Sequence, residues 1–189
     1  MENITAVKVT SAFADLDKLN GIYTEAFPPE ERRHTLPQML ESSFPKYDVS
    51  AYYCDGNIIG LSVRNVLKAF TYLFFFAVSR TERSNGYGGK IFDKIVEDCG
   101  GRPLVFAIED PTEECDNKEQ RVRREAFYLK HNCVYTGYKV RYMGNDSSFC
   151  LMSSRKLDNG FATKIMIRVV IAITTLLWAI WKVVTAFRR

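Results

Sequence analysis

The chain predicts a mixed α/β (α+β) fold, with helices on both faces of a central sheet, and three observations carry that. Short runs of β-branched and aromatic residues alternate with segments of helical periodicity. Residues 49–54 and 58–63 flank Asp55-Gly56-Asn57, which is hairpin turn chemistry. Residues 72–78 (YLFFFAV) lead into the loop Arg83-Ser84-Asn85-Gly86-Tyr87-Gly88, after which Ile91, Ile95 and Val96 recur at helical spacing.

In chain order, residues 5–9 alternate like an edge strand, and residues 13–27 read as a first helix with Leu16, Leu19, Ile22 and Tyr23 on one side. The segment from Phe27 through Pro28, Pro29, Glu30 and Glu31 to Arg33 breaks that helix and starts a second, with proline near its start and acids in its first turn. The hairpin, the 72–78 strand and the helix from Gly88 come next. A strand at 103–108, a helix ending near His131 and strands at 134–143 and 148–154 around Gly144-Asn145-Asp146 complete the domain.

The 189 residues, 47% hydrophobic, suffice for one such core plus an appendage. A formal charge of +4, much of it near the C-terminal end, indicates no nucleic-acid surface. Five scattered cysteines without a C-x-x-C pair point to reduced thiols in the cytosol and to no metal site. His34 and His131 are isolated from one another, and the N-terminus shows no basic region followed by an apolar run of the kind that marks a secretory leader.

The loop after the 72–78 strand carries chemistry. At a helix start the first amides lack internal partners and the helix dipole favours negative charge, so loop N–H groups there can grip phosphates. Gly86 and Gly88 let the backbone approach a ligand closely.

Arg83-x-x-Gly86-x-Gly88, starting five residues after Val78, resembles the acyl-CoA loop of the GNAT superfamily of N-acetyltransferases. Downstream, residues 124–133 (REAFYLKHNC) resemble that family's later helix with its Phe-Tyr pair, here Phe127-Tyr128, although Asn132 and Cys133 replace the usual Gly-Phe. Asparagine is the next-best residue for a left-handed helix cap. The resemblance covers residues 4–154, within a domain of residues 1–157, and implies a splayed sheet with acyl-CoA in its cleft. It implies acetyl-CoA as co-substrate, held by Phe76, Ala77, Val78, Arg83, Ser84, Asn85, Gly86, Tyr87, Gly88 and Gly89, with no metal.

The implied reaction is direct transfer of an acetyl group to a primary amine on a small molecule or peptide. An amine of pKa about 10.4 is neutral only about one part in a thousand near neutral pH, a handicap of roughly 4 kcal/mol without a base. The thiolate leaves more readily, and general-acid help there is worth roughly 10² to 10⁴. Tyr128 takes the acid role by carry-over. Some family members carry a glutamate six residues before the strand-ending valine, where this chain has Tyr72. The nearest replacement is Glu109, at the end of the 103–108 strand and the head of an acidic loop that could attract a cationic acceptor. Glu30, Glu31 and Tyr72 are candidates for the acceptor rim. The missing strand glutamate and the altered Gly-Phe pair also fit another reading, a membrane-anchored module that binds CoA or a partner without catalysis.

After a linker at 158–164, residues 165–187 form an apolar segment about 34 Å long as a helix, against a bilayer core of about 30 Å. Arg168 and Lys182 interrupt it near its ends, where long side chains snorkel. Arg168, Thr175, Lys182 and Arg189 recur every seven residues, so one narrow face is polar or small. A membrane anchor, a helix lying in the interface and a helix docking on protein all fit, the membrane readings best, since a soluble amphipathic helix carries a wider polar face. The threonine and alanine stripe would also suit a homodimer. An anchor there leaves the acyl-CoA domain in the cytoplasm.

Overall fold

The computed structural model describes residues 4–29, 31–32, 34–43, 45–141, 148–158 and 160. It divides into two compact units, Met1–Arg102 and Pro103–Arg189.

In the first unit, β1 (Thr5–Lys8), β2 (Asp48–Cys54), β3 (Asn57–Val66) and β4 (Thr71–Val78) pair antiparallel in sequence order. Helix α1 (Leu16–Ala26) buries Leu19, Ile22 and Tyr23, and α2 (Leu36–Glu41) buries Leu36 and Met39, in one cluster with Val49, Ala51, Leu61, Val63 and Ala77 of the sheet. Strand side chains alternate between faces, so Gly60, Ser62 and Arg64 point the other way, toward α3 (Tyr87–Asp98). There the buried Arg64 guanidinium bridges Asp48 at 2.8 Å and Asp98 at 3.8 Å and donates to Ser50 Oγ at 3.1 Å. The β2–β3 hairpin turns through Asp55 (φ 48°) and Gly56 (φ 77°), the left-handed pair of a two-residue turn whose twist matches the strands, and Asn57 already belongs to β3.

Two features of this unit depart from expectation. The second helix does not begin at Pro28. The Pro28 carbonyl accepts from the Glu31 and Arg32 amides in a single turn, and α2 starts at Leu36. A capping box fixes that start: Gln38 N–H donates to Thr35 Oγ1 at 3.4 Å and Thr35 N–H donates to Gln38 Oε1 at 2.9 Å, with a proline in the first turn. The β4 strand also carries a bulge. Val63 pairs with Phe75 and Arg64 with Leu73, so Phe74 is an extra residue, and Phe74 and Phe75 both pack against the α1–α2 core.

In the second unit, β5 (Leu104–Glu109) and β6 (Val134–Arg141) flank β7 (Ser148–Ser153), both antiparallel to it. Helix α4 (Lys118–Lys130) packs Tyr128 on Phe106 of β5, ring centroids 4.4 Å apart. Asn132 adopts φ 60°, the left-handed cap expected of it, and Cys133 N–H donates to the Tyr128 carbonyl at 3.1 Å. The edge strand β6 bulges around Gly137 (φ 83°), which interrupts its pairing with β7 between Tyr135 and Lys139.

The 144–146 turn, Glu30 and the apolar segment 165–187 lie outside the described residues, as does most of the 158–164 linker. Among the described residues no helix is long and apolar enough to cross a membrane. All five cysteines are free thiols.

Candidate active site

The first unit builds the loop from β4 outward. Ser79 N–H donates to the Ile59 carbonyl at 2.9 Å, which ties the strand end to β3, and a short 3₁₀ turn (Arg80–Glu82) follows. Arg83 Nε reaches back to the Val78 carbonyl at 3.4 Å. Ser84 (φ 71°) and Gly86 (φ 78°) are left-handed while Asn85 between them is not, an alternation that turns successive N–H groups into one concavity. Gly86 is the N-cap of α3 and supplies no side-chain cap, and the first turn holds no acid. A Cβ on Gly86 would meet no atom within 4 Å, so the strain of its backbone, rather than crowding, selects glycine there. Tyr87 is buried and anchors the helix start, while residues 83–86 are exposed. Arg80, Arg83 and Lys90, whose Nζ lies 5.5 Å from the Tyr87 ring centroid, add positive charge to amides already suited to an anion. Lys90 and Arg80 are additions to the expected set, and the Gly-Gly-Lys run at the helix start was the available signal for Lys90.

Of the strand residues expected at the cofactor, Phe76 stacks at a tilt 6.0 Å from Phe92, Ala77 is buried in the α1–α2 core, and Val78 ends the strand opposite Gly60. Tyr72 lies six residues before Val78, about 20 Å along the strand. It is only 4% exposed, its ring set edge-on to Phe74 at 4.9 Å, so in this conformation it is a core residue rather than a rim residue. Glu31 is exposed on the Pro28 turn.

The second unit holds the two candidates for proton transfer. Tyr128 is buried among Phe106 and Phe127, and burial pushes its hydroxyl up to about 12, against a smaller opposing effect of the Arg124 charge. It is therefore fully protonated at neutral pH. Glu109 ends β5 with its carboxylate engaged: Arg124 lies at 2.7 Å on one oxygen, and Arg121 at 3.1 Å and Asn117 Nδ2 at 3.4 Å on the other. Arg121 and Arg124 stand one helical turn apart on α4, so this carboxylate fastens α4 to the end of β5. The acidic loop is likewise drawn inward. Asp110 accepts from Thr112 N–H at 3.0 Å and Oγ1 at 2.7 Å and pairs with Lys139, and Glu113 pairs with Arg121 at 3.2 Å and accepts from Ser148 N–H at 3.0 Å. Much of the charge expected to attract a cationic acceptor is thus neutralised internally. Among the described residues no three His, Cys, Asp or Glu side chains converge to hold a metal ion.

No protein-family model and no curated protein matches the sequence. Solved structures do match. A protein from Bacteroides thetaiotaomicron described as a GNAT-family acetyltransferase superposes with a TM-score of 0.76 at 23% identity, over 90% of this chain and 98% of that one. An aminoglycoside 6'-N-acetyltransferase complexed with coenzyme A gives 0.60 at 14% identity, over 79% and 95% of the two chains. A GNAT-family acetyltransferase from Elizabethkingia anophelis with acetyl-CoA bound gives 0.55 at 15% identity, over 83% and 100%. The chain has the fold of the GNAT-family acetyltransferases.

Proposed function

We propose that the chain transfers an acetyl group from acetyl-CoA to a primary amine. The neutral amine nitrogen attacks the thioester carbonyl, the C–S bond breaks with the Tyr128 hydroxyl hydrogen-bonded to the departing sulfur, and the proton lost by the nitrogen ends on that sulfur by way of water. The observation that carries this reading is the loop at the start of α3, where alternating left-handed residues and an uncapped helix N-terminus follow β4 after one short 3₁₀ turn. It suits the pyrophosphate of CoA, the ligand named for two proteins of the same fold.

With its hydroxyl at about 12, Tyr128 is a far weaker acid than a simple thiol of pKa about 8.5. It therefore stabilises the departing sulfur chiefly as a hydrogen-bond donor in a dry site, where the thiolate's own pKa also rises. Glu109 as the base would have to loosen two guanidinium contacts, at 2.7 and 3.1 Å, to reach an amine proton. Glu109→Gln separates the two roles: a base loses kcat at unchanged stability, whereas an anchor for α4 loses stability as well, and its contacts fit the anchor.

The test is titration with acetyl-CoA followed by an amine panel. Micromolar to millimolar binding is expected, with turnover that falls about 10²-fold in Tyr128→Phe at little change in KM for acetyl-CoA. No binding, or full turnover by Tyr128→Phe, overturns the reading. Donor binding with no turnover on any amine would leave the second reading, a CoA-binding module without catalysis, which the engaged Glu109 favours. In either case the apolar segment 165–187 would hold the domain at the cytoplasmic face of a membrane, and its stripe of small residues would allow pairing of two copies.

A further inference from the structure

Helix α4 is built the wrong way round for a helix on a sheet. It buries Arg121 (4% exposed) and Tyr128, and it turns Val122 (45%), Ala126 and Leu129 (46%) outward. A surface helix ordinarily lays its apolar stripe on the core and its charges in water. The inward arginines are accounted for, since Arg121 and Arg124 hold Glu109. The outward apolar residues are not. They continue onto β6, because the Tyr135 hydroxyl donates to Glu125, which stands between Val122 and Leu129 on that side of the helix. Tyr135 also lies opposite Met152, and Met152 opposite Phe106, so Tyr135 shares the sheet face on which Phe106 meets Tyr128. Of the six large apolar or aromatic side chains exposed among the described residues, four (Val122, Leu129, Val134 and Tyr135) fall within residues 122–135, while Val7 and Val66 belong to the first unit. Such residues are ordinary singly, and a contiguous set marks a contact surface.

The setting of this stripe points to what it contacts. Ser153, the last residue of β7, pairs with Val134, so the chain leaves the sheet beside the start of β6 and the end of α4. From there Ile165, which opens the apolar segment, is at most about 40 Å away along fully extended chain. Lipid that holds residues 165–187 therefore also holds this end of the second unit near its surface. The charge there is mainly positive. Lys130 follows Leu129, Arg155 and Lys156 are exposed just past β7, and Lys164 and Arg168 come next in sequence. The acids are Glu125, bonded to Tyr135, Glu119, which lies 3.8 Å from Arg123, and the exposed Asp158. A surface that takes aliphatic side chains and also complements a basic cluster beside an apolar segment is that of an anionic lipid leaflet.

We propose that the outward face of α4, Val122 and Leu129 together with Tyr135 of β6 and with Lys130, Arg155 and Lys156 at its end, rests on an anionic lipid surface. The contact fixes how the domain is turned on the membrane, where the tail alone gives only attachment. It rests on the membrane reading of residues 165–187 and is independent of the transfer activity.

The test uses the full chain, methyl-labelled at Val and Leu, on nanodiscs of phosphatidylcholine with about 30% phosphatidylserine and a trace of gadolinium-chelating lipid. Val7 and Val66, about as exposed as Val122 and Leu129, are the internal reference. Paramagnetic broadening of Val122 and Leu129 at least about three-fold above the reference is expected, and it should drop toward the reference on phosphatidylcholine alone. The triple variant Lys130→Gln, Arg155→Gln, Lys156→Gln should lose the excess as well while staying on the discs, with the shifts of the buried Leu61 and Leu104 unchanged. Equal broadening of the four residues, or an excess indifferent to phosphatidylserine, overturns the face and leaves the tether. A chain that does not associate with the discs at all overturns both. Leu176→Arg separates them from the other side: it disables the apolar segment, so an excess that remains at Val122 and Leu129 on the anionic discs keeps the face without the tether. Shifts of Val122 and Leu129 that grow with protein concentration in the absence of lipid assign the stripe to a second copy and overturn the proposal.

Discussion

Gly60 shows how a single hydrogen atom places the candidate loop. It pairs with Val78, and a Cβ there would lie 2.5 Å from the Ala77 carbonyl oxygen and 3.0 Å from Ile91 Cδ1. Neither the paired backbone nor the fully buried Ile91 can yield without moving β4 or α3. Gly60→Ala is therefore expected to destabilise the chain by about 2 to 3 kcal/mol, read as a lower urea midpoint at unchanged slope, and to weaken acetyl-CoA binding along with it. Tyr128 makes a different prediction. A donor whose hydroxyl titrates at about 12 keeps its proton throughout the working range, so kcat should rise with pH as the acceptor amine deprotonates and should not turn down below about pH 10. A fall centred near pH 9 in a pH–rate profile would remove Tyr128 from the acid role. Of these two residues, Tyr128 could be read from its neighbour Phe127, because the pair is contiguous. Gly60 could not, since its constraint comes from a strand and a helix that follow it in the chain.

Elements were legible where their determinants are local. The Asp55-Gly56 turn, the β4-loop-α3 order and the Asn132 cap follow from residues adjacent in sequence, and each lies where its chemistry places it. The start of α2 was equally written in the Thr35-x-x-Gln38 pattern, but the prolines at 28 and 29 offered a competing start. Packing, not propensity, decided the roles of Glu109, Asp110 and Glu113, which pattern alone leaves as solvated loop charges and which instead tie α4, β6 and β7 to the end of β5. This has a pH consequence. Burial works against the charged form of Asp110, but the hydrogen bonds from Lys139 and Thr112 outweigh it and hold the carboxyl far below the usual range. A group with a depressed folded pKa contributes stability above its unfolded pKa and loses it as pH falls from about 4 toward the folded value. Acid unfolding of the wild type should therefore steepen below about pH 4, and Lys139→Met should flatten that limb in a melting series from pH 5 to 2.

At the scale of the molecule, the chain has the fold of the GNAT-family acetyltransferases over 90% of its length, and the apolar segment 165–187 lies outside the described residues. Liposome co-sedimentation of the full chain beside one ending at residue 158 tests what that segment does. If it seeks membrane, the full chain pellets with vesicles and the shorter one stays in the supernatant with acetyl-CoA binding unchanged; equal partition removes the tether. The sequence made the fold legible because strand, loop and helix recur in an order that few architectures share. The fate of the acidic loop was not legible, because the pairing of Asp110 and Glu113 with Lys139, Arg121 and Ser148 is a property of the folded surroundings rather than of any motif.

The extra residue in β4 can be removed without turning either flank of the strand over. Because Val63 faces Phe75 and Arg64 faces Leu73, removing Phe74 would bring the two flanks of the strand into uninterrupted pairing without inverting either. The irregularity is therefore local to one residue, and a single deletion removes it. A chain lacking Phe74 should still fold. If it folds and loses acetyl-CoA binding or the proposed transfer, the extra residue serves that function and not the scaffold.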